Sequence, residues 1–265
     1  MRGLTQFLLV GCIAACGPGD RDNTGLPDAT GQDSADAPPA TERSRVFAHN
    51  RNTLYQIDTA TLAALPIGPM TGLVDPDGNG VPESLTDLAI DKTDRMFGVS
   101  LQNLYSINAT TGAVLFLGAL APFDGFSSLS FVPDPNDSAA PDILVSANFD
   151  GTVYKLTETG SAMVIGSYGM HQGEVVGSSG DLIGVRGLGI YATVQVGTDT
   201  MDYLATVDPA TWKATPLPNS TGYEKIFGLG FWEGKIYGFA DTGTDTGTII
   251  EINPTTGSAS VVLTG

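Results

Sequence analysis

The chain has few of the residue types on which many enzymes depend. Only two cysteines are present, Cys12 and Cys16, and both precede residue 17. The rest of the chain therefore forms no internal disulfide and supplies no thiolate nucleophile or thiolate metal site. The only histidines are His49 and His171, and no Gly-x-Ser-x-Gly motif accompanies them. The sequence therefore gives no support for Ser-His-Asp catalysis.

Positive charge is also scarce. There are 12 Lys and Arg against 29 Asp and Glu, which gives a formal net charge of −17 and a pI of about 4.1. Such a surface repels phosphate backbones, so nucleic acid is excluded as a partner, and direct adsorption to anionic lipid is disfavoured. Charged residues make up only 15% of the chain and glycines number 34, which favours short strands and tight turns over surface helices.

The one long apolar run lies at the N-terminus. Leu4 to Ala15 is largely apolar, a length of about twelve residues that is too short for a membrane span but suits a secretory signal. Residues 9–16, LVGCIAAC, resemble the lipobox of bacterial lipoproteins, with Cys16 as the favoured lipidated residue and Cys12 as the alternative. The resemblance implies cleavage before the cysteine, acylation, and a place in the bacterial cell envelope, with the outer membrane or cell surface favoured. An ordinary cleaved signal peptide with a soluble secreted product is the alternative.

We therefore expect three regions. Residues 1–16 form the lipoprotein signal peptide, and residues 17–43 form an Asp/Pro/Ala-rich tether that we expect to be disordered because it contains almost no bulky apolar residue. Residues 44–265 form the folded domain. The expected contact with the membrane is through the lipid anchor only, and we expect a monomer.

The folded domain repeats one pattern: an apolar alternating run, a polar turn of the Asx-x-x-Thr-Gly kind, and a second apolar run. The equivalent positions Leu54, Leu104, Val153, Leu204 and Ile249 are separated by 50, 49, 51 and 45 residues by subtraction. Two further strands precede most of these hairpins, and one of them begins at the aligned leucines Leu88, Leu129, Leu182 and Leu229. Each unit is thus a four-stranded meander, which is typical of a β-propeller blade.

The segments LYSINATTGAVLFLG and IIEINPTTGSASVVLTG resemble the blades of bacterial YVTN and quinoprotein-like propellers. The resemblance covers residues 45–265 and implies an all-β fold, a propeller of about five four-stranded blades in which the first blade is incomplete. An open or solenoidal β-array, or a β-sandwich, is the alternative. Such blades serve many roles, so the resemblance predicts architecture and leaves function open.

One loop has the pattern of a cation site. Asp75, Asp77, Asn79 and Glu83 supply side-chain oxygens at alternate positions around Gly80, and the Val81 carbonyl is available between them. Hard cations take six to eight oxygen ligands, and this pattern resembles the calcium loops of integrin-type propellers. We therefore expect one structural calcium ion here, although strong turn formers such as Asp-Gly and Asn-Gly would produce the same pattern without a metal.

The remaining candidates are weaker. His171 and Glu174 form no metal site by themselves, and we expect a solvated loop there. We expect His49 to lie on a blade face, and Trp212, Trp232 and Tyr237 to pack between blades rather than line a glycan or peptide surface.

Since the acidic cluster lies in one connection, we expect a protein that is not an enzyme: a calcium-stabilised binding module with a protein or glycan partner. The alternative is a hydrolase or lactonase-like propeller enzyme with a metal in its central channel. Convergence of carboxylates and of His49 or His171 at the axis would favour this alternative.

Overall fold

The computed structural model describes residues 14–16, 45–121, 125–135, 140–185, 187–242 and 247–264. Within these ranges the regular elements are β-strands, and they form five antiparallel sheets. The expected all-β fold with five propeller blades is confirmed. Among the described residues, no helix has the length and apolar character that crossing a membrane would require.

The strands of each blade follow one another along the chain, so every blade is a meander. Blade 1 contains β1 (Ala14–Cys16), β2 (Arg45–His49), β3 (Thr53–Ile57) and β4 (Ala64–Pro69). Blade 2 contains β5 (Asp87–Ile90), β6 (Met96–Val99), β7 (Asn103–Ile107) and β8 (Val114–Ala119). Blade 3 contains β9 (Ser130–Val132), β10 (Ile143–Ala147), β11 (Thr152–Leu156) and β12 (Ala162–Ser167).

The last two blades differ in size. Blade 4 contains β13 (Met170–His171), β14 (Glu174–Val185), β15 (Gly189–Val196), β16 (Tyr203–Val207) and β17 (Ala214–Pro216). Blade 5 contains β18 (Ile226–Trp232), β19 (Lys235–Ala240), β20 (Thr248–Ile252) and β21 (Ala259–Thr264). The additional strand β13 pairs with the first residues of β14, which is the longest strand of the described chain.

The inner strands close a ring. β5 contacts β9, β9 contacts β14, and β14 contacts β18, while β1 lies against both β18 and β5. β1 pairs antiparallel with β2, with Ala15 opposite Val46. The expected gap in blade 1 is therefore filled by residues 14–16, from the segment assigned to the signal peptide. The tether, residues 17–43, and the other signal-peptide residues lie outside the described residues.

In four of the five blades the repeated polar turn is an Asx turn that closes the outer hairpin. Asn108 Oδ1 accepts hydrogen bonds from Thr110 N at 2.9 Å and Thr111 N at 3.1 Å. Asp58, Asp208 and Asn253 accept the same pair of amide bonds in blades 1, 4 and 5. These side chains satisfy turn amides that have no strand partner, so the repeat of the sequence is a repeat of local hydrogen bonding.

Glycines on the outer strands fit each blade against the turn of the next blade. A Cβ on Gly68 would lie 2.3 Å from Thr111 O, and one on Gly118 would lie 2.6 Å from Thr159 O. Gly166 meets the next turn in the same way, at 2.8 Å from Thr211 O. The equivalent residue in blade 5 is Leu263, which stands opposite Ile249 as Gly118 stands opposite Leu104. The junction between blades 5 and 1 therefore lacks the close glycine contact.

Apolar side chains pack between adjacent blades. At the closing junction, Trp232, Phe239 and Ile249 of blade 5 pack with Val46 and Ala48 of blade 1. This cluster joins residues from opposite ends of the folded domain, so closure of the ring depends on apolar packing here.

Candidate active site at the propeller axis

Four equivalent residues, one from each of blades 2 to 5, form a ring that we name the polar ring because three of them have polar side chains. The residues that precede the aligned leucines Leu88, Leu129, Leu182 and Leu229 are Asp87, Ser128, Asp181 and Gly228. Asp87 is 0% exposed and Asp181 is 1% exposed. Because the inner strands surround one axis, these equivalent positions of different blades come together.

Asp87 and Asp181 form a direct side-chain hydrogen bond. They belong to blades 2 and 4, which are not neighbours in the ring, so the bond crosses the axis. A hydrogen bond between two carboxyl groups requires a proton on one of them, because two carboxylates at this separation cannot both be ionised. The pair is therefore best described as one carboxylic acid and one carboxylate that share a proton.

Backbone amides hold both side chains in place. Asp87 Oδ1 accepts from Leu88 N at 2.6 Å, and its Oδ2 accepts from Leu129 N of blade 3 at 2.5 Å. Asp181 repeats the arrangement, with Leu182 N at 2.5 Å on Oδ1 and Leu229 N of blade 5 at 2.6 Å on Oδ2. Each carboxyl group thus joins its own blade to the next one, and the pair links blades 2 to 5.

Burial raises the pKa of Asp181 well above the ordinary value for an aspartate. The charge of Asp87 and the hydrogen bond to it raise this pKa further, whereas the amides of Leu229 and Leu182 lower it in part. The pair consequently keeps a proton under conditions in which exposed aspartates are ionised.

The donor set fits a shared proton better than a metal ion. A calcium ion takes six to eight oxygens, but in the described part of the chain the axis offers the two carboxyl groups of Asp87 and Asp181, whose four oxygens already accept backbone amides. Among the described residues, no group of three or more Asp, Glu, His or Cys side chains is placed to hold a metal ion. The pair is therefore suited to proton transfer.

A pocket of about 150 Å³ opens at the same end of the axis. Its walls include Thr86, Ser127, Gly180 and Phe227, each of which directly precedes one residue of the polar ring. Leu85, Phe149 and Ser179 complete the lining. The pocket thus combines hydroxyl groups with apolar side chains and lies one residue away from the buried carboxyl pair.

Two irregularities in the inner strands shape this pocket. The pairing of β14 with β15 shifts register between Ser178 and Leu182, and that of β18 with β19 shifts between Ile226 and Gly228. Ser179 and Phe227 lie in these interruptions, where a strand can turn a side chain toward a site. Adjacent to them, the buried Asp202 accepts from Ile226 N at 2.7 Å and from the Ser179 hydroxyl. Burial raises the pKa of Asp202, and these two hydrogen bonds lower it in part.

The expected calcium loop is held by its own amides and by blade 2. Asp75 accepts from Asn79 N at 3.2 Å and from Gly80 N at 2.5 Å, and Asn79 Oδ1 accepts from Val81 N at 2.8 Å.

Glu83 accepts from Asn103 Nδ2 at 2.8 Å and from the Tyr105 hydroxyl. Burial and the bond to Glu83 raise the pKa of Tyr105. Glu83 is thus bound to β7, while Asp75 serves as a turn acceptor. Calcium at Asp75, Asp77, Asn79, Val81 and Glu83 remains a prediction.

The other predicted candidates do not line the axial pocket. His49 is 0% exposed, and burial lowers its pKa to about 4. Its Nδ1 lies 3.1 Å from Asn50 O, and its Nε2 has no hydrogen-bond partner among the residues that the structure describes. His171 lies in β13 at the rim of blade 4.

The aromatic candidates are packing residues, as predicted. Trp212 and Trp232 are buried, and Tyr237 stacks on Trp232 with the ring centroids 3.6 Å apart.

A larger cleft of about 560 Å³ lies among the turns at the opposite ends of the strands. Its two arginines are already paired with acids: Arg45 with Asp94, and Arg95 with Asp91 at 2.7 Å and Glu158 at 2.8 Å. The cationic groups of this cleft are therefore occupied, and the axial pocket is the stronger candidate site.

No protein-family model and no curated protein matches the chain. Solved structures with a similar fold include the PQQ-bound aldose sugar dehydrogenase of Streptomyces coelicolor, with 15% identity, a TM-score of 0.49, and coverage of 83% of this chain and 78% of that one. Virginiamycin B lyase from Staphylococcus aureus has 11% identity, a TM-score of 0.44, and coverage of 83% and 67%. The computationally designed Ika4 protein has 16% identity, a TM-score of 0.38, and coverage of 71% and 98%. At these identities the similarity concerns the fold alone.

The expectation that the protein is not an enzyme is wrong. It depended on the confinement of acidic residues to one connection, whereas the structure brings Asp87 and Asp181 together at the axis. Sequence reasoning missed this pair, although both residues directly precede leucines that the repeat had aligned.

Proposed function

We propose that the protein is a hydrolase that binds a small carbonyl compound, such as an ester, lactone or amide, in the axial pocket. The observation that carries this proposal is the hydrogen-bonded pair of Asp87 and Asp181 next to that pocket. Two carboxyl groups that share one proton supply a general base and a general acid at one point, which is the combination that water-mediated acyl hydrolysis needs.

In the proposed reaction, the ionised carboxylate takes a proton from a water molecule as the water oxygen attacks the carbonyl carbon. The protonated carboxyl group gives its proton to the carbonyl oxygen, which forms a neutral tetrahedral intermediate. Collapse of this intermediate re-forms the carbonyl group and breaks the bond to the leaving group, which takes up one proton. One acid and one alcohol or amine are released, and the pair again holds one proton.

The short separation of the two carboxyl groups argues against glycoside hydrolysis. Retaining glycosidases hold their two carboxyl groups about 5 Å apart and inverting ones hold them farther apart. A direct hydrogen bond between Asp87 and Asp181 leaves no space for a sugar carbon or a water molecule between them.

The test measures hydrolysis of a panel of small esters, lactones and amides by proton release at constant pH. We expect Asp87→Asn and Asp181→Asn each to lower kcat by about a hundredfold or more, since general acid–base groups contribute at least this much. Asp150→Asn, in the turn between β10 and β11, serves as the control and is expected to keep full activity. Full activity in both axial variants, or no turnover of any compound of the three classes, would contradict the proposal.

For the location, we propose a lipid anchor at Cys16, with Cys12 as the alternative, in the bacterial cell envelope. Cleavage before Cys16 would also remove Ala14 and Ala15 from β1 and leave the inner edge of β2 open. Metabolic labelling with palmitate tests the anchor: Cys16→Ser is expected to abolish labelling and Cys12→Ser to preserve it. The reverse result would assign the anchor to Cys12.

A further inference from the structure

The axial pocket is small and opens beside an exposed aromatic ring. Its volume of about 150 Å³ corresponds to about five groups the size of a water molecule, since each of these takes about 30 Å³. The pocket can therefore hold the carbonyl group of a substrate and a few neighbouring atoms, while the rest of the molecule extends out of it. Phe149 lines the pocket and is 56% exposed, so its ring stands at the mouth.

A β-hairpin that distinguishes blade 4 stands beside this mouth. β13 and the first residues of β14 are joined by Gln172 and Gly173, whose φ angles of 52° and 92° are both positive, as in a type I′ turn. Met170 pairs with Val175, so both side chains lie on the same face of the hairpin. Met170 is 54% exposed and Val175 is 57% exposed. The hairpin therefore presents two large apolar side chains to solvent.

The same face of β14 lies against the turn that carries Phe149. A Cβ on Gly177 would lie 2.7 Å from Phe149 O. Gly177 and Val175 are two residues apart in one strand, so they share a face of it. β14 then continues to Ser179 in the pocket wall. Phe149, Val175 and Met170, which we name the apolar rim, thus form a path of exposed apolar surface that begins at the pocket mouth.

Other exposed apolar residues do not have this continuity with the pocket. Leu188 is 54% exposed, but it lies in the turn between β14 and β15, at the opposite end of the strands. Leu115 and Met163 lie on β8 and β12, at the outside of their blades. Contiguous exposed apolar surface marks a binding site more often than single exposed residues do. The apolar rim is therefore best explained as an extension of the axial pocket.

The charges around the apolar rim select against an anionic ligand. Glu174 directly precedes Val175 in the hairpin and is exposed. The axial pair retains one negative charge, and the chain as a whole carries −17. Since these charges repel anions, the part of a ligand that lies on the rim is expected to be apolar and uncharged.

We infer that the apolar rim holds an alkyl chain of the substrate, so that the substrate is an uncharged ester, lactone or amide with a long alkyl chain. The carbonyl group lies in the axial pocket, and the chain leaves past Phe149 and follows β14 to Met170. Val175 precedes Ser179 by four residues, about 13 Å along an extended strand, so a chain of about ten carbons reaches the hairpin. This inference deepens the proposed function and rests on it only for the claim that the bound molecule is hydrolysed.

Alkyl ketones test binding without hydrolysis, with affinities measured by titration calorimetry. 2-Butanone fits within the pocket, 2-octanone extends past Phe149, and 2-undecanone reaches the hairpin. A fully buried methylene group tightens binding about fourfold, so we expect about twofold for each methylene on an open surface. 2-Octanone should therefore bind at least tenfold more tightly than 2-butanone. Equal affinities for the three ketones would overturn the inference.

Two variants locate the chain. Phe149→Ser should reduce the preference for 2-octanone over 2-butanone to about threefold or less. Met170→Ser should leave that preference unchanged and remove most of the additional gain of 2-undecanone over 2-octanone. Leu188→Ser is the matched control, since Leu188 is as exposed as Met170, and it should change neither ratio. If both rim variants bind all three ketones as the wild type does, the chain lies elsewhere and the inference fails.

A lipid bilayer is the alternative occupant of an exposed apolar rim. Flotation of the unacylated chain with neutral phosphatidylcholine vesicles tests it, and we expect the wild type and Phe149→Ser to bind the vesicles equally weakly. Vesicle binding that is lost in Phe149→Ser, together with equal affinities for the three ketones, would assign the rim to the membrane and overturn the inference.

Asp181→Asn separates this inference from the proposed function. The variant leaves the apolar rim intact, so we expect it to keep the preference for 2-octanone over 2-butanone while hydrolysis is lost. This result supports both statements. A preference for 2-octanone in a wild-type protein that hydrolyses nothing removes the proposed reaction only, and an active enzyme without this preference removes the alkyl-chain inference only.

Discussion

Asp181→Asn should change how stability depends on pH, because the axial pair binds one proton that the unfolded chain releases. In the unfolded chain Asp181 titrates near the ordinary value of 3.8, whereas in the folded chain its pKa is raised well above this value. A raised folded pKa gives stability that is complete below the unfolded pKa and is lost as the pH rises through the folded pKa. The wild type is therefore expected to become less stable as the pH rises across this window.

The slope follows from the proton count. One additional bound proton in the folded state corresponds to about 1.4 kcal/mol per pH unit, so two pH units inside the window cost the wild type roughly 2.7 kcal/mol. Asparagine cannot titrate, and its amide can replace the shared proton by donating to Asp87. The same amide nitrogen cannot accept, so one of the bonds from Leu182 N or Leu229 N is lost, at a pH-independent cost of about 1–3 kcal/mol.

The assay is urea unfolding of the wild type and Asp181→Asn at intervals from pH 4 to pH 8. We expect the variant to be the less stable protein at acidic pH and the difference to shrink or reverse as the pH rises. Asp91→Asn is the matched control: hydrogen bonds from Arg95 and Thr93 outweigh burial and lower the pKa of Asp91, so its contribution is lost as the pH falls. A constant difference between the wild type and Asp181→Asn at all pH values would refute the shared proton.

Three further predictions concern other parts of the ring. The pKa of His49 falls from 6.5 to about 4 on folding, so the wild type should lose about 3 kcal/mol of stability as the pH falls from 6.5 to 4. In acid unfolding, His49→Val should not show this loss and His171→Ala should show it. Parallel curves for the wild type and His49→Val would contradict the assignment. Gly118→Ala places a Cβ 2.6 Å from a backbone oxygen and should destabilise the fold by about 1–3 kcal/mol. Gly238→Ala meets only side-chain atoms at 3.0–3.1 Å and should destabilise less in the same unfolding assay. Equal destabilisation by the two variants would show that the backbone contact between blades shifts without cost. For the predicted calcium loop, calcium should raise the melting temperature of the wild type relative to a chelator but not that of Asp77→Ala, and identical melting in all four samples would remove calcium from this loop.

Much of the fold could be predicted from the sequence because its information is local. The Asx turns at Asp58, Asn108, Asp208 and Asn253 recur at a fixed distance from alternating apolar residues, and each turn makes its hydrogen bonds within four residues. The blade as a unit therefore follows from short stretches of chain. The strand at residues 14–16 was missed because its partner is about thirty residues distant and the segment has the composition of a signal peptide.

The candidate site could not be found in the same way. The acidic residues from Asp75 to Glu83 form a pattern within nine residues, so the sequence predicts a cation site there. In the structure, Asp75 accepts hydrogen bonds within its own turn and Glu83 accepts one from Tyr105. Asp87 and Asp181 belong to different blades and meet only because the ring brings equivalent positions to one axis. A comparison of the residues that precede the aligned leucines would have indicated a shared axial position, but the contact itself depends on how many blades close the ring.

The closing junction has a consequence for how the domain is made. Blades 2 to 5 are built from consecutive residues, so each of them can pair its strands as soon as it leaves the ribosome. The apolar surface of Val46 and Ala48, however, is covered by Trp232, Phe239 and Ile249, which are synthesised almost two hundred residues later. A growing chain therefore presents an uncovered apolar edge on its first blade until blade 5 is made, and a chain that stops short of blade 5 keeps that edge exposed as a site for aggregation.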